Sequence, residues 1–304
     1  MREIQREPFF LKCRKAMKNP QRSHFPYIVT TIDLLPELIA NYVKQNLPDH
    51  EEITGIFIVP ADFYGQGFRW RLNPYQVLIF TNNGIFHISQ AEKQKANGTW
   101  IYFKDILKIK LSLILLYGKL EIWAVQNDKV TKIEMEYNTV GHQSLSPHLK
   151  NAIKGTWAQN PPSRRSWVED KTFPEFINTS YSFHNGLKIE ALQPGEIILG
   201  YIFQPEIRLT LMKYFHQTIS PKTLLTLTNH QLILLQEDLR LRVHHEWIFT
   251  FIPRARVSSI TLEAKRDFKK MSIHLQPDFA NLQIDLILDQ KNASKWFDCW
   301  ENMS

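Results

Sequence analysis

Hydrophobic positions change their period along the chain, and the changes mark its elements. From Asp33 to Asn46 the residues Leu34, Leu35, Leu38, Ile39, Tyr42 and Val43 recur at helical spacing. They predict an amphipathic helix, with Pro36 in the first turn, where a missing amide is tolerated. After Pro48 the pattern becomes short apolar runs separated by turn residues, which is how successive antiparallel strands read. Strands are predicted near 52–59, 67–72, 76–81, 84–89, 99–110, 119–124 and 130–137. Asn82-Asn83-Gly84 lies between two of these runs, and Asn-Gly accepts the positive φ of a type I′ hairpin turn. The helical period returns at 146–157. Residues 160–166, Asn-Pro-Pro-Ser-Arg-Arg-Ser, suit neither a helix nor a central strand and read as a linker. Strand texture resumes at Gly195, and a closing helix over 291–302 carries the stripe Trp296, Phe297 and Trp300.

The chain also resembles itself. Glu51, Ile53, Gly55 and Pro60 match Glu196, Ile198, Gly200 and Pro205 at an offset of 145. Leu78-Ile79-Phe80-Thr81-Asn82 matches Leu225-Thr226-Leu227-Thr228-Asn229 at 147, and Trp100-Ile101 meets Trp247-Ile248 at the same offset. Ile106, Lys119, Ile122 and Ile133 then meet Val257, Lys270, Ile273 and Ile284 at 151. The offset only steps upward, between predicted strands, as a duplicated fold with variable loops requires. The organisation expected is a basic arm (1–30), an amphipathic helix (31–47), a first copy (48–157), a linker (158–190) and a second copy (191–304).

Seven strands and a closing helix in about 110 residues, entered by Gly-Glu-Ile-Ile-Leu-Gly and carrying Leu-Thr-Leu-Thr-Asn-His-Gln-Leu-Ile-Leu, resemble the pleckstrin-homology (PH)-like superfamily. GRAM and bacterial PH-like domains are closest in style. The resemblance covers 48–157 and 191–304. It implies a mainly β (α+β) chain of two tandem PH-like domains, each a seven-stranded antiparallel sandwich or partly open barrel capped by a C-terminal helix. It implies binding rather than catalysis, and it names no ligand.

Composition bounds the function further. With 304 residues, 43% of them apolar, the chain can fill two cores, which excludes a disordered or fibrous protein. No run of about 18 apolar residues is present to span a bilayer. Cys13 and Cys299 form neither a disulfide framework nor a thiolate zinc site, so a reducing cytoplasm is expected. Phe9 to Leu11 is too short an apolar stretch for an export signal. The formal charge of +7 is concentrated in residues 1–22, where Arg2, Arg6, Lys12, Arg14, Lys15, Lys18 and Arg22 face only Glu3 and Glu7. The remainder is near neutral, which argues against a nucleic-acid partner other than through the arm.

Candidate sites follow. Arg69-Trp70-Arg71 resembles the Arg-x-Arg with which phosphoinositide-binding PH domains hold several phosphates, but residues 51–68 lack the accompanying Lys, and plain strand alternation explains both arginines. Lys265, Arg266, Phe268, Lys269 and Lys270 place four cations around one ring on a hairpin tip, suited to an anionic lipid surface or to a solvated turn. Phe9, Phe10, Lys12, Arg14, Lys15 and Lys18 form an arm able to lie on such a surface, or to pack on its own domain. At about 1 kcal/mol per basic residue the arm alone gives weak, reversible binding. The apolar tip Leu113–Gly118 suits a partner surface or a strand buried between domains. His244-His245-Glu246 lacks a second ligand pair for a metal. Glu134 and Glu136 share a strand face but alternate with Ile133, Met135 and Tyr137, the pattern of an amphipathic strand. No nucleophile elbow, zincin, P-loop or dinucleotide motif occurs. The expectation is a non-enzymatic interaction scaffold without cofactor or metal, with a protein partner and with an anionic membrane as a second surface. The rival is an apolar-ligand or lipid carrier, or an enzyme, using the sandwich or the cleft between copies.

Overall fold

A computed structural model describes residues 25–66, 69–90, 96–159, 180–212, 215–238, 247–265, 268–276 and 282–301; for 62–66, 69–73, 158–159, 210–212 and 215–216 the description covers the backbone. The chain is mainly β, its described strand pairings are antiparallel, and it ends in a helix. It divides into two compact units, Met1–Trp100 with Met135–Leu149, and Ile101–Glu134 with Lys150–Ser304.

The first unit is organised on a five-stranded sheet of order β1-β2-β5-β6-β7, formed by β1 (Tyr27–Val29), β2 (Ile53–Val59), β5 (Tyr75–Thr81), β6 (Gly84–Gln90) and β7 (Asn97–Tyr102). Its central strands are buried on both faces, which explains why they read as continuous apolar runs. On one face Ile56, Ile58, Val77, Ile79, Phe86 and Ile88 pack against Leu35, Ile39, Ala40 and Val43, most of them on α1 (Glu37–Asn46). On the other, Phe57 meets Tyr137 edge-on at 5.7 Å, and Phe80 stacks at 5.4 Å on His148 of α2 (His142–Gly155). His148 also explains Gly55: a Cβ there would run into its ring.

In the second unit a seven-stranded sheet runs in the order β10-β9-β8-β16-β15-β14-β11. Its strands are β8 (Ile106–Ile114), β9 (Tyr117–Gln126), β10 (Lys129–Asn138), β11 (Ile198–Gln204), β14 (Thr223–Thr228), β15 (Gln231–Glu237) and β16 (Trp247–Pro253). A three-stranded sheet, β17 (Val257–Lys265), β18 (Phe268–Leu275) and β19 (Gln283–Asp289), leads into α4 (Gln290–Glu301). Leu225, Leu227, Leu232, Leu234 and Ile252 form a core with Ile260, Met271, Ile273, Leu286 and the fully buried Trp296 of α4. The opposite face is covered by α3, an α-turn at Tyr181–Asn185 continuing in π geometry over Gly186–Ala191. Phe183 sets its ring edge-on to Phe203 at 5.2 Å and to Trp247 at 4.9 Å.

Several features depart from the predicted pattern. α3 occupies residues predicted as linker: Asn185-Gly186 is a poor helix sequence, and burial of Phe183, Leu187 and Ala191 holds the segment instead. The predicted strand 99–110 is broken at a 3-10 turn, Phe103–Asp105, which sends β7 and β8 to different sheets. Ahead of it, β3 (Asp62–Gln66) and β4 (Arg69–Asn73) pair as a separate two-stranded sheet, because Pro60 and Pro74 interrupt the ladder on both strands of one long hairpin. Pro205 and Pro221 do the same to β12 (Ile207–Met212) and β13 (Phe215–Ser220). The Asn82–Gly84 turn uses no positive φ. The Thr81 hydroxyl holds it, accepting from Asn83 N and from Gly84 N at 3.0 Å. Positive φ at two successive residues, as in a type I′ turn, falls instead on Asn127 (49°) and Asp128 (58°), between β9 and β10.

The element order from β2 to α2 recurs from β11 to α4. α1 ends at Asn46 and α3 at Ala191, which extends the offset of 145 to a helix ahead of each set of strands. The 3-10 turns Phe103–Asp105 and Arg254–Arg256 stand at 151, so Ile101 corresponds to Ile252 rather than Ile248, and both are fully buried or nearly so in their sheets.

Candidate functional site

Two polar arrangements recur at these offsets. At the entry of each copy a glutamate accepts from the hydroxyl of a threonine, Glu51 from Thr81 at 2.6 Å and Glu196 from Thr228 at 2.6 Å. The neighbouring asparagine accepts from the backbone beside that glutamate, Asn82 from Glu52 N at 3.1 Å and Asn229 from Ile197 N at 3.0 Å. Burial pushes the Glu196 carboxyl up, opposed by hydrogen bonds from Thr228, the Gln193 amide and Gln231. The second arrangement is a cross-strand ion pair, Lys119–Glu134 at 2.7 Å and Lys270–Asp285 at 2.9 Å, both at offset 151. What surrounds this pair differs between the copies.

In the first copy it belongs to a closed charge network. Lys132 bonds Glu134 at 2.5 Å and also Glu121, whose side chain is 12% exposed. Trp123 is flanked by Lys108 at 4.7 Å and Lys132 at 4.9 Å, within cation–π range. Hydrogen bonds from Lys119 and Lys132 hold the Glu134 carboxyl down at about 2, so it is ionised near neutrality and unsuited to deliver a proton there. Burial pushes the Lys108 ammonium down.

In the second copy the pair borders a cleft of about 350 Å³, lined by Ile219, Ser220, Pro221, Gln236, Lys265, Phe268, Lys270, Asp285, Leu286 and Ile287. Its lining mixes apolar side chains with Ser220, Gln236, Lys265, Lys270 and Asp285. The β17–β18 register puts Lys265 opposite Phe268 and Glu263 opposite Lys270, so these four share a face. Lys265 pairs with Glu263 at 3.1 Å, and Ser272 donates to Asp285 at 2.7 Å.

Of the residues singled out from the sequence, Lys265, Phe268 and Lys270 are brought together here. Lys269 points to the opposite face and donates to Ser294 of α4 at 3.1 Å. Arg266 lies outside the described residues, as do His244, His245, Glu246 and the arm residues Phe9, Phe10, Lys12, Arg14, Lys15 and Lys18. Arg69 and Arg71 lie on β4, opposite Gln66 and Tyr64. In the apolar tip, Leu115 and Leu116 are exposed, whereas Leu113 pairs opposite Trp247. Sequence reasoning misses Asp285 and the contributions of β13 and β15; the Lys119/Lys270 match at 151 leads directly to Glu134/Asp285 and so holds the signal for Asp285. Among the described residues no group of three or more His, Cys, Asp or Glu is placed to hold a metal, and no helix is long and apolar enough to cross a membrane. No family model matches the chain, and no curated protein matches it significantly.

Proposed function

We propose that the chain is a non-enzymatic interaction scaffold of two PH-like copies, each a seven-stranded antiparallel sandwich closed by its C-terminal helix, and that the second copy presents the ligand-facing site. The observation that carries this reading is the convergence of Lys265, Phe268 and Lys270 on one cleft. Each lysine has a carboxylate beside it, so the cleft offers two compensated ammonium groups rather than the clustered free cations that a polyphosphate headgroup needs. An amphiphile with a single negative group over an apolar tail fits such a site. An anionic bilayer surface is where such a ligand would be met, with the basic arm as the second contact that weak electrostatic binding requires.

Co-sedimentation of the full chain with neutral and phosphatidylserine-containing vesicles tests this. Binding to the anionic vesicles should survive physiological salt, and Phe268→Ala should weaken it several-fold. Absence of binding, or binding indifferent to Phe268→Ala, would remove the lipid side of the reading. The cleft also favours a second reading, a carrier for a small apolar ligand, since its volume lies within the usual range for small-molecule sites. Native mass spectrometry of the purified chain would distinguish the two: a stoichiometric ligand retained away from any membrane supports the carrier, and its absence supports the scaffold.

A further inference from the structure

The two copies are joined through sheet edges. β8 of the first copy pairs with β16 of the second, Ile109 to Leu113 opposite Phe251 to Trp247, and this ladder makes one seven-stranded sheet out of a three-stranded and a four-stranded part. Each copy brings the same two edges, one from its first sheet (β7 or β16) and one from its second (β8 or β17). The internal junction uses one of each. Among the described residues the other two are terminal: β7 ends the five-stranded sheet and β17 the three-stranded sheet. β17 is nine residues long, and Ser259, Thr261, Glu263, Ala264 and Lys265 along it are exposed. A long terminal strand is a template for another chain.

We propose that a second copy of this chain adds its β7 antiparallel along β17, repeating between molecules the junction that β16 and β8 make within one. The register follows from the internal one, because β8 and β17, and likewise β7 and β16, correspond at 151 residues. It sets Ile260 opposite Trp100, Thr261 opposite Thr99, Leu262 opposite Gly98, and Glu263 opposite Asn97. No like charges face each other in these four pairs. Ile260 carries the apolar core of its own copy toward Trp100, which packs on the core of the other. Gly98 takes the place that Phe249 holds in the internal junction, and its amide already donates to the Tyr42 hydroxyl at 3.0 Å. The intermolecular ladder therefore lacks one large side chain and has one donor already engaged, and it is weaker than the internal one. Because the two edges differ, the contact is heterologous: chains add head to tail and either grow or close into a ring, rather than stopping at a two-fold dimer.

Sedimentation velocity of the full chain over a wide concentration range tests the assembly, and disulfide trapping tests the register. In a full-length background with Cys13→Ser and Cys299→Ser, Thr99→Cys and Thr261→Cys are introduced singly and together, and oxidised with oxidised glutathione. Mass should rise reversibly with concentration past that of a dimer. The double variant should give a ladder of dimers, trimers and larger species on a non-reducing gel. The two single variants should cross-link only when mixed, and only to a dimer. A monomer at every concentration, with no cross-link, overturns the proposal. Cross-linking of Thr261→Cys to itself also overturns it, since that would show β17 pairing about a two-fold axis. Unchanged thermal midpoints of the variants exclude misfolding as the cause of a negative result. Vesicle binding by a strictly monomeric chain would leave the scaffold reading standing while this inference fails.

Discussion

A threonine hydroxyl does in both copies what glycine often does in a hairpin. Thr81 and Thr228 each accept from two amides of the following turn and donate to a glutamate at the copy's entry, so one small side chain ties the β5–β6 or β14–β15 hairpin to the strand before it. Thr81→Val and Thr228→Val keep the shape and remove those bonds, leaving a carboxylate and turn amides short of partners. Each should cost about 1–3 kcal/mol, and the two should be similar, as equilibrium urea unfolding would show. A second residue-scale effect concerns His87, whose Nε2 lies 3.0 Å from Gln76 Oε1 and whose imidazole burial pushes down to about 4. The folded pKa is below the unfolded one of 6.5, so the unfolded state takes up a proton that the folded state refuses. The contribution is complete above pH 6.5 and is lost as pH falls toward 4, by about 3 kcal/mol across that window. Burial pushes His148 and His230 the same way. His87→Gln should flatten the slope between pH 7 and 4.5 in urea midpoints; an unchanged slope would mean that His87 is accessible to protons in the folded state.

At the scale of elements, legibility in the sequence depends on whether a signal is local. The closing helix is readable because Trp296, Phe297 and Trp300 form a stripe, and it forms at Gln290–Glu301, one residue earlier than predicted. Its first turn is fixed by Asp289, whose carboxylate accepts from Asn292 N at 2.7 Å. α3 is not readable, since no propensity marks Asn185-Gly186 as helical and tertiary burial of Phe183, Leu187 and Ala191 holds it in place. The same distinction applies to strands: runs such as Leu-Thr-Leu-Thr announce themselves, but a continuous apolar run does not say that both faces are covered, and nothing in 99–110 says that a 3-10 turn parts it. Trp100-Ile101 aligns by resemblance with Trp247-Ile248, whereas the turns that follow place its counterpart four residues further along. For the site, Lys265, Phe268 and Lys270 are legible as a local cluster, while Ile219, Pro221 and Gln236 reach the cleft only through tertiary pairing.

For the molecule as a whole, the β8–β16 ladder determines what can unfold separately. Ile109 and Leu111 lie opposite Phe251 and Phe249, and all four side chains share the face on which Gly186 of α3 closes to within 3.9 Å of the Phe249 ring, measured from an added Cβ. Peeling β8 away would open the edge of β16 and expose aromatic surface, so the seven-stranded sheet should open as one unit although its strands come from both copies. Hydrogen exchange of the full chain measures this directly. Amides of β8 and β16 should fall in the slowest class together with those of β14 and β15. A chain starting at residue 180 keeps a whole copy but lacks β8, and should associate through the bare β16 edge, seen as a mass above monomer at concentrations where the full chain is monomeric. If β8 exchanged well before β16 and the 180–304 fragment stayed monomeric, the junction would be a contact between two independent folds, and the head-to-tail pairing that repeats it between molecules would lose its template.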